Sequence, residues 1–549
     1  MESIEMKKWL AILFLSTSFI ATAQTVSKVW VSDNGNGTYK NPVINADYSD
    51  PDAIRVGDDY YMISSSFNHV PGLPILHSKD LVNWTLIGHA LQKQPPFEHF
   101  SKVQHGGGVW APSIRYHNNE FYIYYPDPDF GIYLIKAKNI LGPWSEPVRV
   151  EAGKGLIDPC PLWDDNGKVF LVHAYAGSRA GIKSIIVVKE LNRDGTKVIG
   201  DAVMVYDGHI NDPTIEGPKF YKRNGYYYIF APAGGVSTGW QTILRSKKIY
   251  GPYERKVVMD QGNTSINGPH QGAWVDTKTG EHWFLHFQDK DAYGRVVHLQ
   301  PMKWVNDWPV IGEDKDGDAR PNGASGRGKG EPVLVYKKPD VGKTYPIATV
   351  ADSDEFNATR LGLQWQWQAN PKPYWAFPSN GYLRLFSAQL PDSIKNYWDV
   401  PSLLMQKFPA GEFMATTKLS FKPRLDGEKI GIIIHGTDYA YLSLIKKTEG
   451  NYISFSSCKN ADKGNEESLT DGERITGNDI YFRVKVGKGA VCEFSYSEDG
   501  TRFKNIGEKL VAKPGRWVSA KVGLFCTRTV KTNDSGFVDV DWFRFEPVQ

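Results

Sequence analysis

A hairpin repeated five times constrains this chain more than any other feature of its sequence. In the stretch from Ile215 to Phe230, Asn224-Gly225 separates Lys219-Phe220-Tyr221 from Tyr226-Tyr227-Tyr228-Ile229-Phe230. Both turn residues tolerate the positive φ that a tight hairpin demands, and the flanking aromatic and β-branched residues favour strands. The same design recurs at 54–63, 114–123, 162–171 and 273–285. With Tyr60, Phe121, Val169, Tyr226 and Trp283 as equivalent points, the spacings run from roughly 48 to 61 residues, the period of propeller blades rather than of helical repeats. Apolar residues at helical spacing are nearly absent between Asn41 and about Pro309. The sequence therefore predicts an all-β fold whose first domain is a five-bladed β-propeller.

About ten to thirteen residues ahead of those points stand Asp50, Trp110, Asp158, Glu216 and His270. If the strand that follows each one is the innermost of its blade, the five side chains meet at one end of the central channel. A single Asp-Pro is ordinarily a turn. Acids at the same phase of three repeats, Asp50, Asp158 and Glu216, point instead to a shared site. Carboxylates facing one another across a sugar-sized pocket are the equipment of glycoside hydrolysis, one protonating the leaving oxygen while another activates water or attacks carbon. Asp50 and Asp52 fall on the same strand face, so alternation does not choose between them. Asp47 and Asp212 are further acids close by.

The rest of the chain fits a secreted two-domain protein. Lys7-Lys8, the apolar run Trp9 to Ile20 and Ala21-Thr22-Ala23 have the charged, apolar and small-residue parts of a signal peptide. The mature chain is expected to start near Gln24 and to be periplasmic or secreted, with no later run long enough to span a bilayer. Four cysteines, Cys160, Cys458, Cys492 and Cys526, are too few for a disulfide framework in 549 residues and are read as free and buried. The net charge of +3, with no basic run among the aromatics, excludes nucleic acid as a partner. Aromatic residues make up 13% of the chain, with 17 Trp, a supply of rings for stacking on sugars. Residues 312–343 are a Gly- and Asp-rich connection. Asp314-Lys315-Asp316-Gly317-Asp318 lacks the Gly and Glu that a calcium loop needs at its sixth and twelfth positions. From residue 344 to 549, short alternating strands such as Tyr382 to Phe386 and Val538 to Phe543 predict an antiparallel β-sandwich of the jelly-roll kind.

Ser49-Asp50-Pro51-Asp52-Ala53, His77-Ser78-Lys79-Asp80-Leu81-Val82-Asn83-Trp84, Trp110-Ala111-Pro112, Ile157-Asp158-Pro159, Glu216-Gly217-Pro218 and Gly294-Arg295-Val296-Val297-His298 together resemble glycoside hydrolase family 43. The likeness runs over nearly the whole chain from Asn41. It implies an inverting mechanism with Asp50 as general base and Glu216 as general acid. Asp158 would orient Glu216 and, through its own charge, keep that acid protonated. Phe67, Trp110 and Arg295 match sugar-contact positions of the family. His270 matches a histidine near the propeller axis, beside a bound calcium or a water cluster; such a calcium would be structural, since inversion by two acids needs no cofactor. The second domain resembles the family's concanavalin-like module, which walls the pocket and favours exo action on an oligosaccharide. The expected activity is release of terminal α-L-arabinofuranosyl groups from arabinoxylan or xyloglucan fragments, with β-D-xylosidase or dual activity as the alternative. The lean to arabinose rests on Tyr48-Ser49-Asp50-Pro51, where the family's xylosidases carry His-Pro-Asp-Pro. Retaining fructan hydrolases and a non-catalytic sugar-binding protein are the rival readings.

Overall fold

The computed structural model describes residues 26–314, 329–379 and 381–548. The leader and residues 315–328 of the Gly/Asp-rich stretch lie outside them. Five four-stranded antiparallel sheets follow in chain order, each strand paired with the next. Their first strands are β1 (Asp52–Val56), β2 (Ser113–His117), β3 (Leu156–Trp163), β4 (Lys219–Arg223) and β5 (His270–Asp276). β1 packs on β2, β2 on β3, β3 on β4, and β5 back on β1. These are the innermost strands of a five-bladed propeller.

The hairpins form at the expected places. Asn224 and Gly225 both adopt positive φ, 48° and 74°, and Arg223 pairs with Tyr226 across the turn. Blade faces bury the alternate apolar residues, Phe220, Ile229 and Leu244 among them. The ring is clasped by the segment before blade one: Ile44 and Val297 exchange backbone hydrogen bonds of 3.2 and 3.0 Å, and the Tyr48 amide donates to the Arg295 carbonyl at 3.1 Å. The N-terminal chain thus lies on blade five, and an open ring of blades becomes a closed one.

The second domain packs an eight-stranded sheet on a seven-stranded one around Leu419, Ile432, Leu442, Phe482 and Phe543, each 1% exposed or less. Three adjacent strands of the larger sheet matter below: β6 (Leu404–Lys407), β7 (Lys429–His435) and β8 (Lys521–Arg528), in the order β6-β8-β7. The sandwich docks on the propeller through backbone bonds: Val70 with Trp367 in both directions, Asn370 to Phe100, and Ala520 to Ala292. All four cysteines are free and buried. Among the described residues no helix is long and apolar enough to cross a membrane.

Candidate active site

Three of the innermost strands deliver acids to one pocket of about 730 Å³, lined by Asp50, Asp158 and Glu216 together with Phe67, Trp110, Arg295 and Trp517. The local backbone explains how. Asp50 and Asp158 each precede a proline and adopt positive φ, 57° and 58°, a costly conformation for a residue other than glycine that persists only where the surroundings enforce it. At the corresponding place in blade four the residue before proline is Gly217, φ 59°. Glu216 is therefore not in phase with Asp50 and Asp158 but one residue earlier. Its phase is that of Trp110: the Glu216 amide donates to the Pro232 carbonyl at 3.1 Å, as the Trp110 amide does to that of Pro126 at 3.0 Å. The expectation of one phase for all five positions is corrected to two.

Asp50 is 4% exposed. Its Oδ2 accepts from the Ser49 hydroxyl at 2.7 Å and the Ser65 hydroxyl at 2.5 Å, while Arg295 Nη1 lies 3.3 Å from Oδ1. The same Nη1 donates to Ser49 Oγ at 2.8 Å. Asp52 is excluded from the pocket: it is fully buried, and its Oδ2 accepts from the Ile114 amide and from Arg115 at 2.8 and 2.7 Å. The structure thus separates two carboxylates that alternation left equivalent.

Across the pocket, Asp158 is 2% exposed and accepts a 2.7 Å bond from the Gly217 amide. Burial first, then the charge of Glu216, pushes the Asp158 carboxyl well above its ordinary range, against the opposing pull of the Gly217 amide and the Lys219 ammonium. Of the two, Glu216 is the accessible one, its side chain 32% exposed. The bond from the backbone of Gly217 ties Asp158 to the residue adjoining the acid. A Cβ at Gly217 would come within 2.7 Å of the Gln271 side chain, so close packing as well as φ calls for glycine.

His270 stands against Glu216. It is fully buried and absent from the pocket wall, and its Nε2 lies 2.9 Å from Glu216 Oε1. Among the described residues no group of three or more His, Cys, Asp or Glu side chains is placed to hold a metal.

Phe67 and Trp110 meet edge to face at 6.4 Å, and the Trp110 ring nitrogen is fixed by the Gly106 carbonyl at 2.8 Å. Asp47 and Asp212 do other work. Asp47 accepts from the Arg295 amide at 3.0 Å and, across the domain boundary, from the Ser519 amide at 2.8 Å. Burial alone would raise the Asp212 carboxyl, but bonds from Arg255, Tyr206, Thr242 and Trp240 outweigh it and bring it down to about 2. The residue that sequence reasoning missed is Trp517. Carried by the sandwich at φ 66°, it stands edge to face with Trp110 at 6.2 Å, and the Arg295 guanidinium lies 5.7 Å from its ring. No repeat or motif marks it, because its neighbours are some 220 to 410 residues away in sequence.

A five-bladed propeller with three converging carboxylates, roofed by a concanavalin-like sandwich, defines a class of carbohydrate-cleaving enzymes. The model of glycosyl hydrolases family 43 matches residues 39–309, and that of the beta-xylosidase C-terminal concanavalin A-like domain matches 353–546. A putative beta-xylosidase of Xylanibacter ruminicola is 38% identical over 91% of this chain and 88% of its own. A beta-xylosidase of Formosa agariphila is 33% identical over 96% and 93%. A non-reducing end alpha-L-arabinofuranosidase of Bacteroides ovatus is 29% identical over 92% and 94%. The solved xylan beta-1,4-xylosidase of Bacillus halodurans superposes with a TM-score of 0.80 at 25% identity, over 92% of this chain and 99% of its own. The chain belongs to glycoside hydrolase family 43.

Proposed function

We propose that this enzyme is an inverting exo-glycosidase that removes single pentosyl groups from the non-reducing ends of hemicellulose fragments, with β-D-xylosyl the favoured group and α-L-arabinofuranosyl the second. The observation that carries the reading is the convergence of Asp50, Asp158 and Glu216 on one pocket that the sandwich walls with Trp517. Asp50 takes a proton from water as the water oxygen bonds to the anomeric carbon. The glycosidic bond breaks on the opposite face, and the leaving oxygen takes the proton of Glu216. Of the two carboxyls on that side, Glu216 is the member with access to substrate. The preference for xylose is supported by the names of two relatives above 30% identity. It sets aside the lean to arabinose drawn from Tyr48-Ser49. Export of the enzyme, proposed from the leader's composition, suits a polysaccharide substrate.

Comparing kcat/KM on nitrophenyl β-D-xylopyranoside and nitrophenyl α-L-arabinofuranoside decides the sugar, the xyloside being expected to lead. Proton NMR during early hydrolysis decides the mechanism. The β-xyloside must release α-xylose first, since inversion requires the carboxyls to leave room for water, about 6.5 to 9.5 Å apart. First release of β-xylose would refute the inverting assignment, and absence of turnover on both glycosides and on xylobiose would favour a binding protein.

A further inference from the structure

The face of the sandwich that meets the propeller carries a row of basic residues which catalysis does not use. Lys407 on β6 is paired directly with Lys521 on β8, and Lys521 with His435 on β7. Directly opposed residues of antiparallel strands project from the same face with Cβ atoms about 4.5 to 5.5 Å apart. Two ammonium groups therefore rise side by side. Lys521 is 2% exposed; Lys407 is partly buried, its Nζ 5.0 Å from the centre of the Tyr48 ring.

The propeller presents His69, His89, His105 and Asp47 to this row. His69 is 4% exposed, and burial followed by the charges of Lys521 and Lys407 holds its imidazole far below the ordinary range, so it is neutral. His89 is likewise buried and close enough to feel Lys407. His105 stacks on Trp398 at 3.7 Å, Trp398 stacks on His435, and His105 Nε2 lies 3.4 Å from Asp399, whose side chain is 55% exposed. Asp47 is the carboxylate whose charge reaches both lysines, and both of its oxygens are already taken by the Arg295 and Ser519 amides. Among the described residues neither Lys407 nor Lys521 has a carboxylate within ion-pair distance. Three neighbouring buried atoms, His69 Nδ1, His435 Nε2 and Ser519 Oγ, have no protein hydrogen-bond partner.

Like charges directly opposed on neighbouring strands repel, and a buried charge is costly unless paired. A lone carboxylate, already occupied, does not neutralise two ammonium groups. We propose that the paired lysines between the domains bind one small inorganic anion of the halide class, held by the ammonium groups of Lys407 and Lys521 with His69 Nδ1–H and the Ser519 hydroxyl as further donors. The Tyr48 ring beside Lys407 and the His435 paired with Lys521 leave a confined setting that favours a small ion over an organic acid. The anion would tie the sandwich to the propeller beside the substrate wall, since Ser519 is two residues past Trp517 and Asp47 also holds the backbone of Arg295. Burial, and after it the charge of Lys407, brings Lys521 down to about 7. Anion binding therefore takes up a proton and tightens as pH falls.

The test uses the full chain at constant ionic strength, with chloride or bromide exchanged for gluconate, and reads the thermal midpoint. Preferential binding to the folded state should give a rise that saturates with halide, larger at about pH 6 than at about pH 8.5, and absent from the K407M/K521M double variant. Crystals of the wild-type enzyme soaked in bromide should show an anomalous peak between the two ammonium groups. A midpoint indifferent to halide, a response that survives in the double variant, or no bromide peak would overturn the proposal. If the double variant fails to fold, the midpoint and the anomalous map of the wild type decide by themselves.

Discussion

Trp517→Ala tests whether the second domain is part of the substrate site. Trp517 leaves 46% of its surface exposed on the pocket wall, while its other half leans on Trp110 and Arg295. A side chain of this class has about 150 to 250 Å² to bury, so roughly 70 to 115 Å² is open to a bound sugar. At about 25 cal/mol per Å², a substrate that covers between half and all of that area gains about 0.9 to 2.9 kcal/mol. That corresponds to about 5-fold to about 100-fold in kcat/KM. Its ring packs on Trp110 and Arg295 and makes no hydrogen bond to the three carboxylates among the described residues, so it should bind ground state and transition state alike. The loss should then fall on KM with kcat held. Steady-state kinetics on xylobiose, with the thermal midpoint as a control for folding, provides the measurement, and Trp517→Phe should recover most of the effect. A kcat/KM within twofold of wild type, or a loss carried by kcat in a protein that melts normally, would refute the argument.

Two further substitutions address the acids. Glu216→Gln should lower kcat on xylobiose by about 10²- to 10⁴-fold, the usual worth of a positioned acid, and far less on a nitrophenyl glycoside, whose phenolate departs unaided; equal losses would remove Glu216 from the acid role. Asp158→Asn alters the carboxyl that accepts from the Gly217 amide beside the acid, so kcat should fall more on xylobiose than on a nitrophenyl glycoside. The same variant tests linkage. Because the folded state raises the Asp158 carboxyl above its unfolded value of about 4, the folded state holds the extra proton, and that residue's stability contribution declines as pH climbs from about 4 to the raised value. Asp158→Asn should flatten that decline in the thermal midpoint, and parallel profiles for variant and wild type would contradict the raised value.

The propeller was legible because each blade repeats a local signal: a turn that needs Asn or Gly between residues that favour strands. Asp50 and Asp158 were legible for the same reason, each preceding a proline at the same place in its blade. Glu216 was found by spacing, but its true phase was hidden. Which residue turns the chain before the inner strand, the acid itself or the glycine after it, depends on backbone φ, and counting does not reveal it. The partner of His270 was not legible, because an inner-strand histidine is compatible with several, and only packing put its Nε2 against Glu216. Trp517, the bond from Asp47 to the Ser519 amide, and the lysine pair all join residues a hundred or more positions apart or on different domains. No pattern within a window of sequence specifies them, since they arise only when the sandwich docks.

The assignment of base and acid rests finally on an asymmetry of charge across the pocket. On one side Asp50 has two hydroxyls on Oδ2 and the Arg295 guanidinium near Oδ1, a setting in which a carboxylate is held in one orientation with a cation at its edge. On the other side stand two carboxyls, Asp158 and Glu216, and burial, followed by the charge of Glu216, raises the buried Asp158. Two nearby carboxyls disfavour double ionisation, so this side is the one that retains a proton. Divergent environments for titratable groups are how a single pocket supports both halves of acid–base catalysis. The backbone of Arg295, the cation that makes the difference, is held by Asp47, and Asp47 in turn holds the sandwich through Ser519. The docking of the second domain is therefore coupled to the base as well as to the wall.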